Sequence, residues 1–206
     1  MMHWLDLLGV AVFAISGTLQ AARRRLDPFG ALILAVATAV GGGTLRDLLL
    51  DQRPIFWISA PDYLLVIALA TALTVIVGRW YALPRQILAV ADAAGLALFT
   101  ISGTEIASRA GVHPAIAVTM GAIIGCAGGL LRDILCAQLP LLLHRDIYAT
   151  AALTGATTYL LLAALAVPNG PATLLAMATT FGLRLIAIRC DLHLPSVMIR
   201  EQRGDR

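Results

Sequence analysis

Lysine is absent from this 206-residue chain, and charged residues of all kinds make up only 13% of it. Soluble domains carry about 25% charged residues, and 59% of this chain is hydrophobic. The composition therefore excludes a soluble fold and predicts an integral membrane protein. The net charge of +3 comes from arginines in short loops and at helix ends. That distribution does not predict nucleic-acid binding, which needs basic residues on one soluble face.

Motifs for enzymatic chemistry are lacking as well. The three cysteines have no paired spacing, and the four histidines are scattered at loop positions. The chain contains no nucleotide-binding loop, no nucleophile elbow and no HExxH sequence. We therefore expect no enzymatic activity, no bound metal and no cofactor.

Long apolar runs are what the chain does contain. Hydropathy predicts an all-α membrane protein with seven transmembrane helices in one domain over 1–188. Residues 189–206 are expected to form a cytoplasmic tail. The predicted spans are 5–22, 29–50, 61–78, 87–108, 114–136, 147–167 and 171–188.

The arginine distribution predicts how the chain sits in the membrane. With the N-terminus outside, ten arginines lie on the inner side, and only Arg53 and Arg109 lie in outer loops. Short cytoplasmic loops carry the excess of basic residues, so we expect the N-terminus outside and the C-terminus inside the cell's inner membrane. The inner arginines are Arg23, Arg24, Arg25, Arg79, Arg85, Arg145, Arg189, Arg200, Arg203 and Arg206.

The first half of the chain recurs in the second half, displaced by 86 residues. Residues 6–18 align with 92–104, and the same displacement carries Arg46-Asp47 onto Arg132-Asp133. Each copy holds three spans, an odd number, so the second copy must enter the membrane upside down. The result is an inverted repeat, 5–78 and 87–167, with an extra helix at 171–188. Inverted repeats place their functional site near the membrane midplane, at the repeat interface.

Glycine clusters precede both Arg-Asp pairs, inside spans 2 and 5. They consist of Gly41, Gly42 and Gly43 in the first copy and of Gly128 and Gly129 in the second. Glycine weakens a helix and leaves no side chain to pack, so we expect helices 2 and 5 to be kinked and discontinuous there. Two interpretations stay open: a permeation path, or glycines that only allow close helix packing beside internal ion pairs.

The charges beside the glycines predict specific partners. An arginine within lipid costs about 2.5–3.5 kcal/mol, so it must face protein or water. Arg46 and Asp47 point about 100° apart on a helix, which predicts that they are poor partners for each other. The duplication instead predicts two equivalent ion pairs, Arg46 with Asp6 and Arg132 with Asp92. Structural and pore-lining roles are both open for them.

Hydroxyl side chains recur at equivalent positions in spans 1 and 4. Ser16, Thr18, Ser102 and Thr104 could line a polar path. Hydroxyls in membrane helices more often bond the i−4 carbonyl or join neighbouring helices, so both roles stay open. Near the inner end of span 7, Arg184 is expected to extend toward lipid head groups. Aromatic residues at span ends predict interfacial anchors: Trp57, Tyr63, Trp80 and Tyr81.

The doubled Gly-Gly-x-x-Arg-Asp motif, the paired Ile-Ser-Gly-Thr segments and the 3+3+1 layout resemble one known family. They are similar to prokaryotic members of the trimeric intracellular cation (TRIC) channel family, also labelled as glycine-transporter-domain proteins. The resemblance implies a homotrimer in which each protomer holds its own pore, permeable to K⁺ and less selectively to Na⁺. It implies no cofactor, and membrane lipids as the other partners.

Two other classes of function compete with a channel. Inverted repeats with broken helices also build secondary transporters, here for a small solute such as glycine, and a non-conducting scaffold is the third class. A coupled transporter is expected to carry unpaired acidic residues near the midplane. The mid-membrane acids, Asp47 and Asp133, each lie beside an arginine, which favours the channel.

Overall fold

The computed structural model describes residues 2–81, 84, 86–144 and 147–192. Most of the predicted tail, and the inner-loop residues Arg85 and Arg145, lie outside these described residues. Within them the chain is helical between short turns. The helices are α1 Met2–Arg23, α2 Pro28–Leu49, α3 Phe56–Ser59, α4 Asp62–Trp80, α5 Ile87–Arg109, α6 Pro114–Leu135, α7 Leu141–His144, α8 Ala149–Ala164 and α9 Asn169–Cys190.

Six of these helices are long and apolar enough to cross a membrane: α1, α2, α4, α5, α6 and α9. The predicted span 147–167 forms α8, a shorter apolar helix, so a count of seven spans stays a prediction. The four-residue helices α3 and α7 were not predicted. They are too short to show a hydrophobic period.

The two repeats also share details of their local backbone structure. Prolines open α2 and α6, where a missing N–H costs least, and the preceding Asp27 and His113 accept hydrogen bonds from the first turn. Two residues after the end of each helix comes a residue with positive φ, Asp51 at 49° and Ala137 at 48°. A short helix follows in both copies, α3 after α2 and α7 after α6.

The centre of the core is a reciprocal contact between α1 and α5. Phe13 and Phe99, equivalent in the two copies, stack with ring centroids 5.4 Å apart. A Cβ atom placed on Gly95 would lie 2.5 Å from the Phe13 ring, and one placed on Gly9 would lie 2.9 Å from the Phe99 ring. These contacts require α1 and α5 to run in opposite directions. The insertion of the two copies in the membrane stays a prediction.

The glycine clusters lie where α2 packs against α6. Both helices are unbroken through their glycines, so the predicted discontinuity is wrong, and the kinks stay a prediction. A Cβ atom on Gly42 would collide with the carbonyl oxygen of Ile124, and one on Gly128 would lie 2.6 Å from the carbonyl oxygen of Thr38. The absent side chains therefore let the two backbones touch, in the same way from each side.

The outer helices differ between the two halves. The extra helix α9 packs against α5 and α8 of the second repeat. In the first repeat, α4 packs against α1 and α2, and Leu65, Leu69 and Leu73 on its other face are each more than half exposed. The first half therefore presents an apolar helix face that the protomer itself does not cover.

Candidate functional site

Arg46 is the centre of a buried charged cluster at the end of the protein where α1 and α4 begin and α2 finishes. Its Nη1 lies 3.1 Å from Asp6 Oδ2, and its Nε lies 2.8 Å from Asp47 Oδ1. Ser102 of α5 donates a hydrogen bond of 3.0 Å to Asp6 Oδ1. None of the four residues is more than 7% exposed. We call them the Arg46 cluster.

Arg132 is the centre of a matching cluster at the opposite end, where α5 begins and α6 finishes. Its Nη1 lies 2.6 Å from Asp92 Oδ1, and its Nη2 lies 2.8 Å from Asp133 Oδ1. The same Nη1 donates a short hydrogen bond to Ser16 of α1. None of these residues is more than 3% exposed. We call them the Arg132 cluster.

The two predicted ion pairs, Arg46 with Asp6 and Arg132 with Asp92, are confirmed. The expectation that each arginine is a poor partner for the aspartate next to it is wrong, since Arg46 bonds Asp47 through Nε. The directions of the Cβ atoms alone do not decide which partner an arginine reaches, because its side chain is long. A guanidinium on a long stem can fold back along its own helix and reach the neighbouring carboxylate.

The second aspartate of each cluster also fixes the chain that follows its helix. Asp47 Oδ2 accepts a hydrogen bond of 2.8 Å from the backbone N–H of Phe56, the first residue of α3. Asp133 Oδ2 accepts one of 3.0 Å from the N–H of Leu141, the first residue of α7. Each carboxylate thus satisfies a donor at the start of a short helix. This contact explains why both Arg-Asp pairs are followed by a short helix.

Each cluster combines one arginine with two aspartates, so its named side chains carry a formal net charge of −1. Charges are screened far less in a buried site than in water. A negative cluster within a membrane protein lowers the energy of a nearby cation and raises that of an anion. Buried ionisable groups of this kind mark ion pathways in membrane proteins.

The serines and threonines of the predicted polar lining behave differently from each other. Ser16 and Ser102 each complete the cluster that belongs to the other repeat. The Thr18 and Thr104 hydroxyls instead donate to the i−4 carbonyls, both at 2.8 Å. The structure therefore brings the serines to the charged groups and keeps the threonines in helix packing. A lining role for any of the four stays a prediction.

The glycines at the ends of the two runs contact the clusters themselves. A Cβ atom on Gly129 would lie 2.7 Å from the Tyr148 hydroxyl and 2.9 Å from Asp92 Oδ1. One on Gly43 would collide with the Phe56 ring, which lies over the Arg46 guanidinium with Cζ 5.3 Å from its centroid. These two glycines leave room for the polar groups, while Gly42 and Gly128 leave room for backbone.

Two buried tyrosines beside the clusters were missed as site residues. Tyr63, expected at the membrane interface, is 3% exposed and packs edge-on against Phe56. Tyr148 lies under Arg184, whose Cζ is 4.7 Å from the ring centroid. The expectation that Arg184 extends to lipid head groups is wrong, because it is 1% exposed. The sequence does contain a feature that indicates their role: both tyrosines stand at equivalent positions, seven residues after Phe56 and Leu141.

Comparison with known proteins places this geometry in a wider group. A family model described as a glycine transporter matches residues 3–79 and 89–164, one match for each repeat. The UPF0126 inner membrane protein YadS of Escherichia coli (strain K12) is 45% identical over 206 residues, which cover 98% of each chain. A UPF0126 membrane protein of Vibrio cholerae is 41% identical and covers 95% of this chain and 82% of that relative.

Solved structures share the fold over nearly its whole length. The TRIC trimeric intracellular cation channel orthologue from Rhodobacter sphaeroides superposes with a TM-score of 0.85 at 36% identity, over 93% of this chain and 98% of that one. A prokaryotic TRIC channel crystallised in 0.5 M KCl superposes with a TM-score of 0.87 at 30% identity, over 94% and 98%.

Proposed function

The chain belongs to the trimeric intracellular cation (TRIC) channel family, and from that membership we propose that it is a membrane channel for monovalent cations. K⁺ is the proposed main permeant ion, with Na⁺ passing less selectively. The observation that carries the proposal is the pair of buried clusters, each with a formal net charge of −1, on either side of the α2–α6 contact. The Arg46 cluster favours cations over anions at its end of that contact. At the other end the Arg132 cluster acts in the same direction, and Arg184, which lies over Tyr148, offsets part of its negative charge.

We place the permeation path along the contact between α2 and α6. Gly42 packs against a carbonyl oxygen of α6, and Gly128 against one of α2. Each of these carbonyls faces a glycine of the opposite helix and keeps a second lone pair beside the one in its helix hydrogen bond, so it can replace part of a cation's hydration. The contact is too close to hold a hydrated ion between the two backbones. Conduction along this path therefore requires α2 and α6 to move apart.

Reconstitution in a planar lipid bilayer tests this function. We expect unitary current steps carried by K⁺, because a channel passes many ions in each opening. Saturable uptake of a small solute such as glycine, without unitary steps, would instead identify a secondary transporter, the activity that the family model's description names. If neither current nor uptake occurs in a correctly folded preparation, the protein is a non-conducting scaffold.

Membership of the family supports a homotrimer, the assembly named for the Rhodobacter sphaeroides relative. The exposed apolar face of α4 is a surface that a second protomer or lipid can cover. Small residues at 68–72 and 151–156 allow close helix contact. Native mass spectrometry from detergent is expected to show a species of about 65 kDa, three times the chain mass of 21.7 kDa. This measurement suits the chain because lysine, the usual target of amine-reactive cross-linkers, is absent. A dimer as the largest species would contradict the proposal.

A further inference from the structure

His3 links the solvent to the Arg46 cluster at the start of α1. Its Nε2 lies 2.9 Å from Asp62 Oδ2, and its Nδ1 lies 3.1 Å from the Tyr63 hydroxyl. The imidazole also packs edge-on against the Tyr63 ring, with centroids 5.3 Å apart. The side chains of His3 and Asp62 are 49% and 44% exposed, whereas Tyr63 is 3% exposed. A proton can therefore reach the imidazole from solvent, while its tyrosine partner lies within the protein.

Tyr63 connects His3 to the Arg46 cluster. Tyr63 packs against Phe56, with ring centroids 4.8 Å apart, and Phe56 lies over the Arg46 guanidinium. Asp6 stands three residues after His3 on the same face of α1. The charged or titratable groups that face His3 among the described residues are Asp62 and Tyr63 of α4, Asp6 of its own helix and, behind the tyrosine, Arg46 and Asp47 of α2.

At the end of the protein that holds the Arg132 cluster, the group beside the buried tyrosine has a fixed charge. At the end that holds the Arg46 cluster, the corresponding group is titratable. Beside the Arg132 cluster, Arg184 lies over Tyr148, the counterpart of Tyr63. An arginine is charged at every physiological pH. Histidine is the side chain that ordinarily changes its charge between pH 5 and 8. The group over Tyr148 therefore keeps its charge between pH 5 and 8, whereas the imidazole beside Tyr63 can change its charge.

Protonation changes both the charge and the hydrogen bonds of this site. A neutral imidazole that donates from Nε2 to Asp62 accepts the Tyr63 hydroxyl hydrogen at Nδ1. The protonated ring donates from both nitrogens, so the Tyr63 oxygen becomes the acceptor and its hydrogen must turn to another group. The added positive charge also opposes the net negative charge of the Arg46 cluster.

We propose that His3 is a proton-binding site, held by Asp62 and Tyr63, that lowers cation permeation from the end of the protein where α1 begins. The inference rests on the proposed function, since it needs a cation current to regulate. It goes beyond that function by assigning a regulatory ligand, the proton, and one side of the membrane from which that ligand acts.

Bilayer recordings with the pH changed on one side at a time test the proposal. Lowering the pH from 8 to 5 on the side where α1 begins is expected to reduce K⁺ current on the order of fivefold. The same change on the opposite side should have a much smaller effect. His3→Gln should remove the one-sided response and conduct at pH 5 as the wild type does at pH 8. His113→Gln is the matched control, because His113 caps α6 at the same end of the protein, and it should keep the response.

A second measurement reports proton binding without any current. Trp4 lies beside His3, with ring centroids 6.1 Å apart, and a protonated imidazole quenches indole fluorescence. The emission of the wild type minus that of His3→Gln is expected to titrate between pH 5 and 8.

The outcomes separate the two claims. Current with the same pH response in the wild type and in His3→Gln would overturn the regulation and leave the channel standing. A fluorescence difference that does not change between pH 5 and 8 would also overturn it. The absence of current at every pH, from protein that is folded by its fluorescence, would overturn the proposed function and the regulation with it.

Discussion

Replacing Asp92 by asparagine is expected to lower K⁺ conductance about tenfold and to move the reversal potential in a KCl gradient toward that of an anion pathway. The substitution takes the formal charge of the Arg132 cluster from −1 to zero without changing its size. At an effective dielectric constant of about 20, a unit charge about 10 Å from an ion changes the ion's energy by about 1.5–2 kcal/mol, which is roughly tenfold in local cation concentration.

Two aspartate variants frame this measurement. Asp6→Asn removes the equivalent charge from the Arg46 cluster and should act in the same direction. Asp51→Asn is the control, because Asp51 follows α2 with its side chain 86% exposed and pairs only with an exposed arginine. Wild-type selectivity in both Asp92→Asn and Asp6→Asn, with oligomers intact, would show that the clusters lie off the pathway. The path would then have to be moved away from α2 and α6.

Removing the arginine of the Arg132 cluster should affect stability and conductance differently from removing its aspartate. Arg132→Ala leaves Asp92 and Asp133 buried without their counter-ion, and breaking a buried pair costs about 3–5 kcal/mol. We therefore expect a clear loss of thermal stability, together with a changed conductance that still favours cations. A switch to anion preference in Arg132→Ala would contradict the sign of the electrostatic argument.

Gly42→Ala is expected to destabilise the protein by about 1–3 kcal/mol, the usual cost of overpacking a core, and to reduce conductance in what still assembles. The new Cβ atom meets the carbonyl oxygen of Ile124, which belongs to the backbone of α6 and cannot turn aside. Gly128→Ala should behave alike, since its Cβ atom would lie 2.6 Å from the carbonyl oxygen of Thr38. Thermal unfolding in detergent and single-channel recording measure the two effects.

Gly41→Ala is the control for this contact. Its Cβ atom meets only the methyl end of Leu131, a side chain that is 38% exposed and can change its rotamer. The equivalent position in the second repeat already holds an alanine, Ala127. We expect the Gly41→Ala protein to unfold close to the wild-type temperature. Equal destabilisation by Gly41→Ala and Gly42→Ala would show that backbone contact between α2 and α6 is not what the glycines provide.

The sequence predicted the helices well because hydropathy and proline positions report directly on membrane helices. Six predicted spans coincide with long apolar helices to within a few residues, and the remaining one coincides with α8. The short helices α3 and α7 could not be predicted in this way. They exist because Asp47 and Asp133 accept hydrogen bonds from their first residues, contacts that span eight or nine residues and leave no periodic signal.

Within the candidate site, the duplication predicted the contacts that occur in both halves of the chain. It paired Arg46 with Asp6 and Arg132 with Asp92, because a charge that must avoid lipid needs a partner at the same depth. It could not predict Arg184 over Tyr148, since α9 has no counterpart in the first repeat. Its position against Tyr148 is set by the packing of α9 on α8, and hydropathy carries no information about that contact.

Ser16 and Ser102 carry a consequence for the origin of the chain. Each serine serves the arginine-aspartate pair of the opposite repeat, so a protein made of one repeat alone would leave its buried pair one hydroxyl short. Two copies of such a protein would supply the missing hydroxyls to each other only if they met pointing in opposite directions. A single-repeat ancestor would therefore have paired as two identical chains running in opposite directions, and gene fusion would have made that arrangement permanent.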